Sequence, residues 1–371
     1  MTLDQTIAAG LVPAARRLAR TAAGGAARAE SDRRLSREVV EETIAAGFAR
    51  HFVPAAHGGA ESTFADLLQA VAVVGEGCAS AAWYASLTAG ISRMAAYLPA
   101  EGRQELWERG PDTLVVGALM PLGKAREADG GWRLAGTWPF VSAVDFAEWA
   151  LVLGTAATAG GRQEQRFFAL PRADFTVVDS WFTAGMRGTG SNTLVAEDVF
   201  VPASRTFTRG DVLEGNAPPG SAPCHRVPLR AVNGLTFAAP VLGAARGALA
   251  SWREVVAEKA CAPGAASLAE PLARSSGEID AAALLLERAA VVADRGRVTE
   301  LEQARGTRDA ALAADLLVDA VGRLVRSAGT RGQSASHPLQ RFWRDVNAAA
   351  THAMLQFGPA ADGYAGQVLR G

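Results

Sequence analysis

Apolar positions along the chain keep a helical spacing at both ends and a strand-like spacing between. Within residues 64–74, Phe64, Leu67, Leu68, Val71 and Val74 recur every three to four residues and mark one helix face. The alanine-rich stretches at 13–28, 34–50 and 64–77 are dense in helix formers. Phe52–Gly59, with Pro54 and a glycine pair, reads as a turn between them. Ser80 is the expected cap of a helix running to about Leu98, and Pro99 restarts a shorter one. From Asp112 the helical period disappears. Gly131–Gly136, Trp149–Gly154, Arg166–Leu170 and Val195–Val201 read as short strands, and Pro202 ends the ladder. Residues 203–227, broken by Gly210, Gly215, Pro218, Pro219, Gly220 and Pro223, read as a loop. Helical spacing then returns over 235–260, 278–305, 307–328 and 338–357. In the third of these, Leu312, Leu316, Leu317, Val321, Leu324 and Val325 form one stripe. Pro263–Gly277 is expected to be an exposed loop. Helices, then strands, then helices predict an α+β fold: an N-terminal α-helical domain (1–112), a small central β domain (113–205) and a C-terminal helical bundle (206–371).

Composition narrows the classes. A chain of 371 residues, 49% hydrophobic and 20% charged, is that of a globular protein with a large core. Its net charge of −1 provides no field for nucleic acid or an anionic membrane, and no basic block with interleaved aromatics occurs. Cys78, Cys224 and Cys261 have no neighbouring His or Cys partners, which fits a reducing compartment and argues against a disulfide frame or a zinc site. The start, MTLDQTIAAG, lacks the basic region of a signal peptide. The longest uncharged run, between Arg230 and Arg246, is too short and too broken to span a bilayer. A cytoplasmic, soluble protein is expected, with no metal.

Candidate chemistry concentrates in residues 131–202. Trp138-Pro-Phe-Val-Ser142 sets two large aromatics beside a small hydroxyl, and Trp149 and Trp181 follow. Gly185-Met-Arg-Gly-Thr-Gly-Ser-Asn192 packs three glycines among small polar residues, letting backbone N–H groups approach a ligand. Aromatic surface with hydroxyl and amide edges suits a flat, polar-edged heterocycle. On spacing alone, the favoured reading is that the same aromatics are β-core and the glycines turns.

Three stretches together resemble one family. They are Gly131–Leu153, Trp181–Pro202 with its Gly-Met-Arg-Gly-Thr-Gly-Ser run, and Pro338-Leu-Gln-Arg-Phe-Trp-Arg-Asp345 followed by His352. All resemble the acyl-CoA-dehydrogenase fold, in its reduced-flavin-dependent, two-component monooxygenase branch. The resemblance implies a central β-barrel or sandwich and a C-terminal four-helix bundle. It also implies a homotetramer and reduced FMN, or FAD, supplied by a separate reductase. Ser142 falls where the family's serine contacts the flavin N5/O4 edge, and Trp181 and Ser191 fall at its ring-packing tryptophan and flavin-contacting serine. Trp138 and Phe140 belong to the same cofactor wall, with Phe237 as a further wall or a core residue. Arg331 falls near an arginine that faces the ring or the phosphate.

His352 also has an argument from spacing. On a helix, Arg341, Asp345, Ala348 and His352 share a face at the border of the apolar stripe Leu339, Phe342, Val346, Ala349 and Ala353. Arg341 and Asp345 are expected to form an i,i+4 pair or an intersubunit contact. The resemblance implies that reduced flavin and O₂ give a C4a-hydroperoxide, which oxygenates an aromatic carbon or an amine of a small natural-product intermediate. Ser142 would hold N5–H, and His352, with a near-neutral pKa, would be the general base or acid. This chain departs from the family at three places. Ile91 and its neighbours stand where a histidine is common, Ser142 is followed by Ala143 in place of glycine, and residues 259–274 hold only Lys259 and Arg274 as candidates for the flavin phosphate. The competing readings are an acyl-CoA dehydrogenase, for which no glutamate base is found, and a non-catalytic ligand-binding member of the fold.

Overall fold

A computed structural model describes residues 10–157, 160–260 and 268–369. The segment 261–267, which includes Cys261 and part of the expected 263–277 loop and phosphate region, lies outside the described residues, as do residues 1–9.

Among the described residues five helices come first: α1 (Leu11–Asp32), α2 (Arg37–Ala46), α3 (Phe64–Gly77), α4 (Ala79–Ala95) and α5 (Ala100–Leu106). The helix assigned to a Ser80 cap begins two residues earlier, with Cys78 at its N-cap; Ser80 is buried inside it. α4 is buried almost all round, so no apolar stripe identifies its inward face.

The strands β1 (Val115–Ala128), β2 (Gly131–Val141), β3 (Trp149–Ala157), β4 (Gln163–Pro171), β5 (Thr176–Val178), β6 (Asn192–Pro202) and β7 (Thr206–Thr208) form one seven-stranded sheet, in the order β5-β6-β2-β1-β3-β4-β7. β1 and β3 run parallel, and the other neighbours are antiparallel. The residues expected to form one loop over 203–227 instead contain β7 and a short helix, α6 (Arg209–Glu214). A capping box holds its start: Thr208 Oγ1 accepts from the Asp211 N–H, and Asp211 accepts from the Thr208 N–H.

The C-terminal helices are α7 (Leu229–Ala260), α8 (Ala269–Asp294), α9 (Glu300–Ala328), α10 (Pro338–Ala350) and α11 (Phe357–Leu369). The break expected at residue 306 lies at 295–299. There Gly296 takes a φ of +70°, and Thr299 with Glu302 forms a second capping box. Gly306 sits inside α9, where helices tolerate it at a modest cost. The helix expected over 338–357 ends at Ala350; a short 3₁₀ turn, 353–355, precedes α11. α3 and α7 approach closely at a glycine pair, since a Cβ on Gly75 would lie 2.8 Å from the Gly243 Cα. One large core joins the helices to the inner side of the sheet, and a second cluster around Ile91, Leu98 and Phe167 fills the space between α4 and strands β1, β3 and β4. No helix among the described residues is long and apolar enough to cross a membrane.

Candidate active site

Three segments converge on Trp83 of α4. Its indole Nε1 donates to Ser142 Oγ at 3.1 Å, just beyond the end of β2. Its ring meets Phe237 of α7, with centroids 5.1 Å apart, and His352 after α10 edge-on at 5.8 Å. Phe237 and His352 stack on each other at 3.6 Å. Ser142 and His352, far apart in sequence, therefore share one neighbour. Trp83 was not singled out from the sequence. Its only signal is an adjacent pair of large rings, Trp83 and Tyr84, in an otherwise small-residue stretch, ASAAWYAS.

Ser142 is the outer member of a hydroxyl chain. Its Oγ lies 2.8 Å from Ser191 Oγ, which lies 2.7 Å from Thr189 Oγ1, and Thr189 Oγ1 donates to the Met186 carbonyl at 2.8 Å. The turn carrying these groups, 187–189, is built on left-handed residues: Met186 at φ +54° and Gly190 at φ +53°. Asp345 of α10 anchors it, its Oδ1 accepting from the Met186 N–H at 2.6 Å. This corrects the expected Arg341–Asp345 pairing: a buried backbone N–H needs an acceptor, and the Asp345 carboxylate is the one it finds. Burial pushes the Asp345 carboxyl up to about 6, against the opposing effects of the Met186 N–H, Arg344 and Arg341.

The aromatic wall divides in two. Phe140, at φ +65° and two-thirds exposed, lies against Trp181 with centroids 6.1 Å apart. Trp181 is fixed by its Nε1, which donates to the Met186 carbonyl at 3.0 Å, and by its backbone N–H, which Asn192 Oδ1 accepts. Trp138 lies elsewhere. Its ring is fully buried and its Nε1 donates to the Leu153 carbonyl at 2.9 Å. Glycines make room for it, since a Cβ on Gly136 or Gly123 would come within 2.6 Å of the indole. Trp138 is a core residue of the sheet, and the expectation that it faces a cofactor is corrected. Arg331 is exposed in the 329–333 turn beyond α9.

His352 departs from its expected setting. It stands outside α10 as the N-cap of the 353–355 turn, so the shared helical face with Arg341 and Asp345 does not exist. Its Nδ1 accepts from the Met354 N–H at 3.3 Å, which leaves the proton of the neutral ring on Nε2. Burial against the two aromatic rings pushes its pKa down to about 4, in place of the near-neutral value expected. The imidazole is thus a neutral N–H donor.

Two of the sequence departures have a structural counterpart. Ala143 adopts φ +61°, the left-handed backbone that glycine takes without penalty. Ile91 is buried against Gly117, where a Cβ would come within 2.4 Å of it, so the position is apolar packing between α4 and β1.

Comparison with known proteins adds the rest. The profile of the family described as acyl-CoA dehydrogenase, C-terminal domain, matches residues 235–357. The oxygenase component of an FADH₂-dependent resorcinol hydroxylase from Rhizobium sp. (strain MTP-10005) is 32% identical over 333 residues, covering 82% of this chain and 80% of that protein. The crystal structure of 3-HSA hydroxylase from Rhodococcus sp. RHA1 superposes with a TM-score of 0.91 at 28% identity, covering 96% of both chains. That of XiaF from Streptomyces sp., in complex with FADH₂ and glycerol, superposes with a TM-score of 0.90 at 28% identity, covering 97% of this chain and 95% of that one.

Proposed function

The chain belongs to the oxygenase components of the two-component flavin-dependent monooxygenases, built on the acyl-CoA dehydrogenase fold, and from that membership we propose that the cleft around Trp83 is where an aromatic substrate is hydroxylated. It takes reduced flavin, FMN or FAD, from a separate reductase. The observation that carries the proposal is the single indole joining Ser142 to His352.

The residues fit a flavin. A planar heterocycle with a polar edge needs an apolar face and a small hydrogen-bonding group beside it. Phe140 and Trp181 supply the first, and Ser142, backed by Ser191, supplies the second. When bound, reduced flavin supplies the two electrons that let dioxygen deliver one oxygen atom to substrate. Ser142, held by the Trp83 N–H on one side and Ser191 on the other, presents its hydroxyl oxygen at a fixed position. His352 directs its Nε2–H at the substrate oxygen, and an anionic phenolate there would draw the imidazole pKa up and make it a proton donor. This revises the role as a general base: an imidazole this desolvated does not take a proton until an anion faces it. The apolar, aromatic lining favours an aromatic carbon over an amino sugar as the acceptor.

Assembly and setting complete the proposal. Leu284 and Val291, seven residues apart on α8, are more than half exposed, which supports burial in a homotetramer. Cys78 and Cys224, buried and unpaired, support a cytoplasmic protein. By analogy of fold, the substrate is an aromatic intermediate of natural-product metabolism. The test is turnover of simple phenols with FMN, a flavin reductase and NADH, quantifying hydroxylated product against H₂O₂. Product formation that requires the reductase supports the reading; H₂O₂ alone across a panel of phenols contradicts it.

A further inference from the structure

Each hydroxyl has one proton, and this fixes the direction of the chain behind Ser142. The Met186 carbonyl can only accept, so Thr189 Oγ1 spends its proton there, at 2.8 Å. The 2.7 Å contact between Thr189 and Ser191 must then carry the Ser191 proton, and the 2.8 Å contact between Ser191 and Ser142 must carry the Ser142 proton. Trp83 Nε1 can only donate, and it points at Ser142 Oγ from the other side. Ser142 is left with no free proton and one free lone pair. Thr189 and Ser191 are buried, so no bulk water competes for these protons.

We propose that Thr189 is a positioning residue: by grounding the hydroxyl chain on the Met186 carbonyl it makes Ser142 an acceptor toward the cleft, so that the site selects reduced flavin over oxidised flavin. The inference rests on the reading that Ser142 faces the flavin N5 edge. Reduced flavin carries N5–H, a donor that meets the free lone pair. Oxidised flavin offers a bare N5 that needs a donor. Ser142 can become that donor only if all three hydroxyls reverse and Thr189 releases the carbonyl, which costs the site one hydrogen bond. No atom of the protein changes its redox state; the selection is between two ligands.

The experiment is the ratio of dissociation constants for oxidised and reduced FMN, the latter measured anaerobically, on the full-length protein. Taking the ratio within each variant removes any general loss of affinity, which would lower both alike. Wild type should bind the reduced form more tightly. Thr189→Val leaves Ser191 free to donate toward Ser142, and Ser191→Ala cuts the chain. Each should lower the ratio by about tenfold, the scale of one hydrogen bond, equivalent to lowering the two-electron midpoint potential of bound FMN by about 30 mV. Thr189→Ser should retain the ratio. A ratio that Ser142→Ala abolishes while Thr189→Val and Ser191→Ala leave it unchanged overturns the role of Thr189 and spares the flavin reading. A ratio that survives Ser142→Ala overturns both.

Discussion

The imidazole of His352 stacks on the phenyl ring of Phe237, with centroids 3.6 Å apart and planes inclined by 25°. Both rings of the pair also pack against Trp83. This packing explains why the histidine is so hard to protonate: the ring is desolvated, and burial is the cause of its lowered pKa.

Opening the pair should therefore release the histidine. Phe237→Ala exposes the imidazole to water, and its pKa should climb from about 4 toward the ordinary 6.5. Titration of the His352 ring by NMR measures this. A value unchanged in the variant would mean that something other than the Phe237 ring keeps the histidine neutral.

His352 and Asp345 should impose opposite slopes on stability against pH. The native protein binds fewer protons than the unfolded chain at His352 between about pH 4 and 6.5, so this contribution rises with pH and is complete above that window. At Asp345 it binds more protons between about 3.8 and 6, so this contribution falls as pH rises. Asp345→Asn keeps an acceptor for the Met186 N–H and removes the titration. Its melting temperature should rise more steeply than that of wild type from pH 4 to 6, and that of His352→Gln less steeply. The full difference is roughly 3 kcal/mol in each case. Parallel curves for all three proteins would contradict the assignment.

Two tryptophan substitutions should separate core from site. Trp138→Phe loses a buried hydrogen bond and leaves a void, and should cost about 2–3 kcal/mol in denaturant unfolding while the folded protein keeps its affinity for reduced flavin. Trp83→Phe keeps a ring beside Phe237 but removes the donor to Ser142; reduced-flavin affinity should drop several-fold at a stability cost of about 1 kcal/mol. A large loss of flavin affinity in Trp138→Phe would return that residue to the cofactor wall.

His352→Ala should uncouple the reaction. The substrate oxygen loses its donor, so NADH consumption continues while the share leaving as H₂O₂ rises several-fold. A product-to-NADH ratio equal to wild type from pH 6 to 8 would remove His352 from the chemistry.

The sequence pattern conveyed the segregated helices and strands because their periods differ sharply, and the Gly185–Asn192 run because glycine marks left-handed backbone at Gly190 and close packing at Gly185, where a Cβ would lie 2.2 Å from the Arg344 carbonyl oxygen. Trp138 was misread although strand alternation sets Trp132, Leu134, Gly136 and Trp138 on one side. The positive φ at Phe140 interrupts that alternation and turns its ring outward, and no propensity forecasts such a φ for phenylalanine. His352 seemed to continue a helix because the residues before it are alanines; what stops α10 is local bonding, with Thr351 Oγ1 donating to the Ala348 carbonyl and His352 Nδ1 accepting from Met354. Trp83 was invisible to any periodicity argument because α4 is buried all round, so one ring gives no contrast between faces.

The central claim is that Ser142 and the aromatic cleft around it hold reduced flavin. Anaerobic titration of wild type and Ser142→Ala with photoreduced FMN, followed by tryptophan fluorescence, tests it directly. Saturable quenching with one site per subunit, weakened about tenfold or more by the substitution, is the predicted result. Equal binding by the two proteins, or binding by neither, would contradict it.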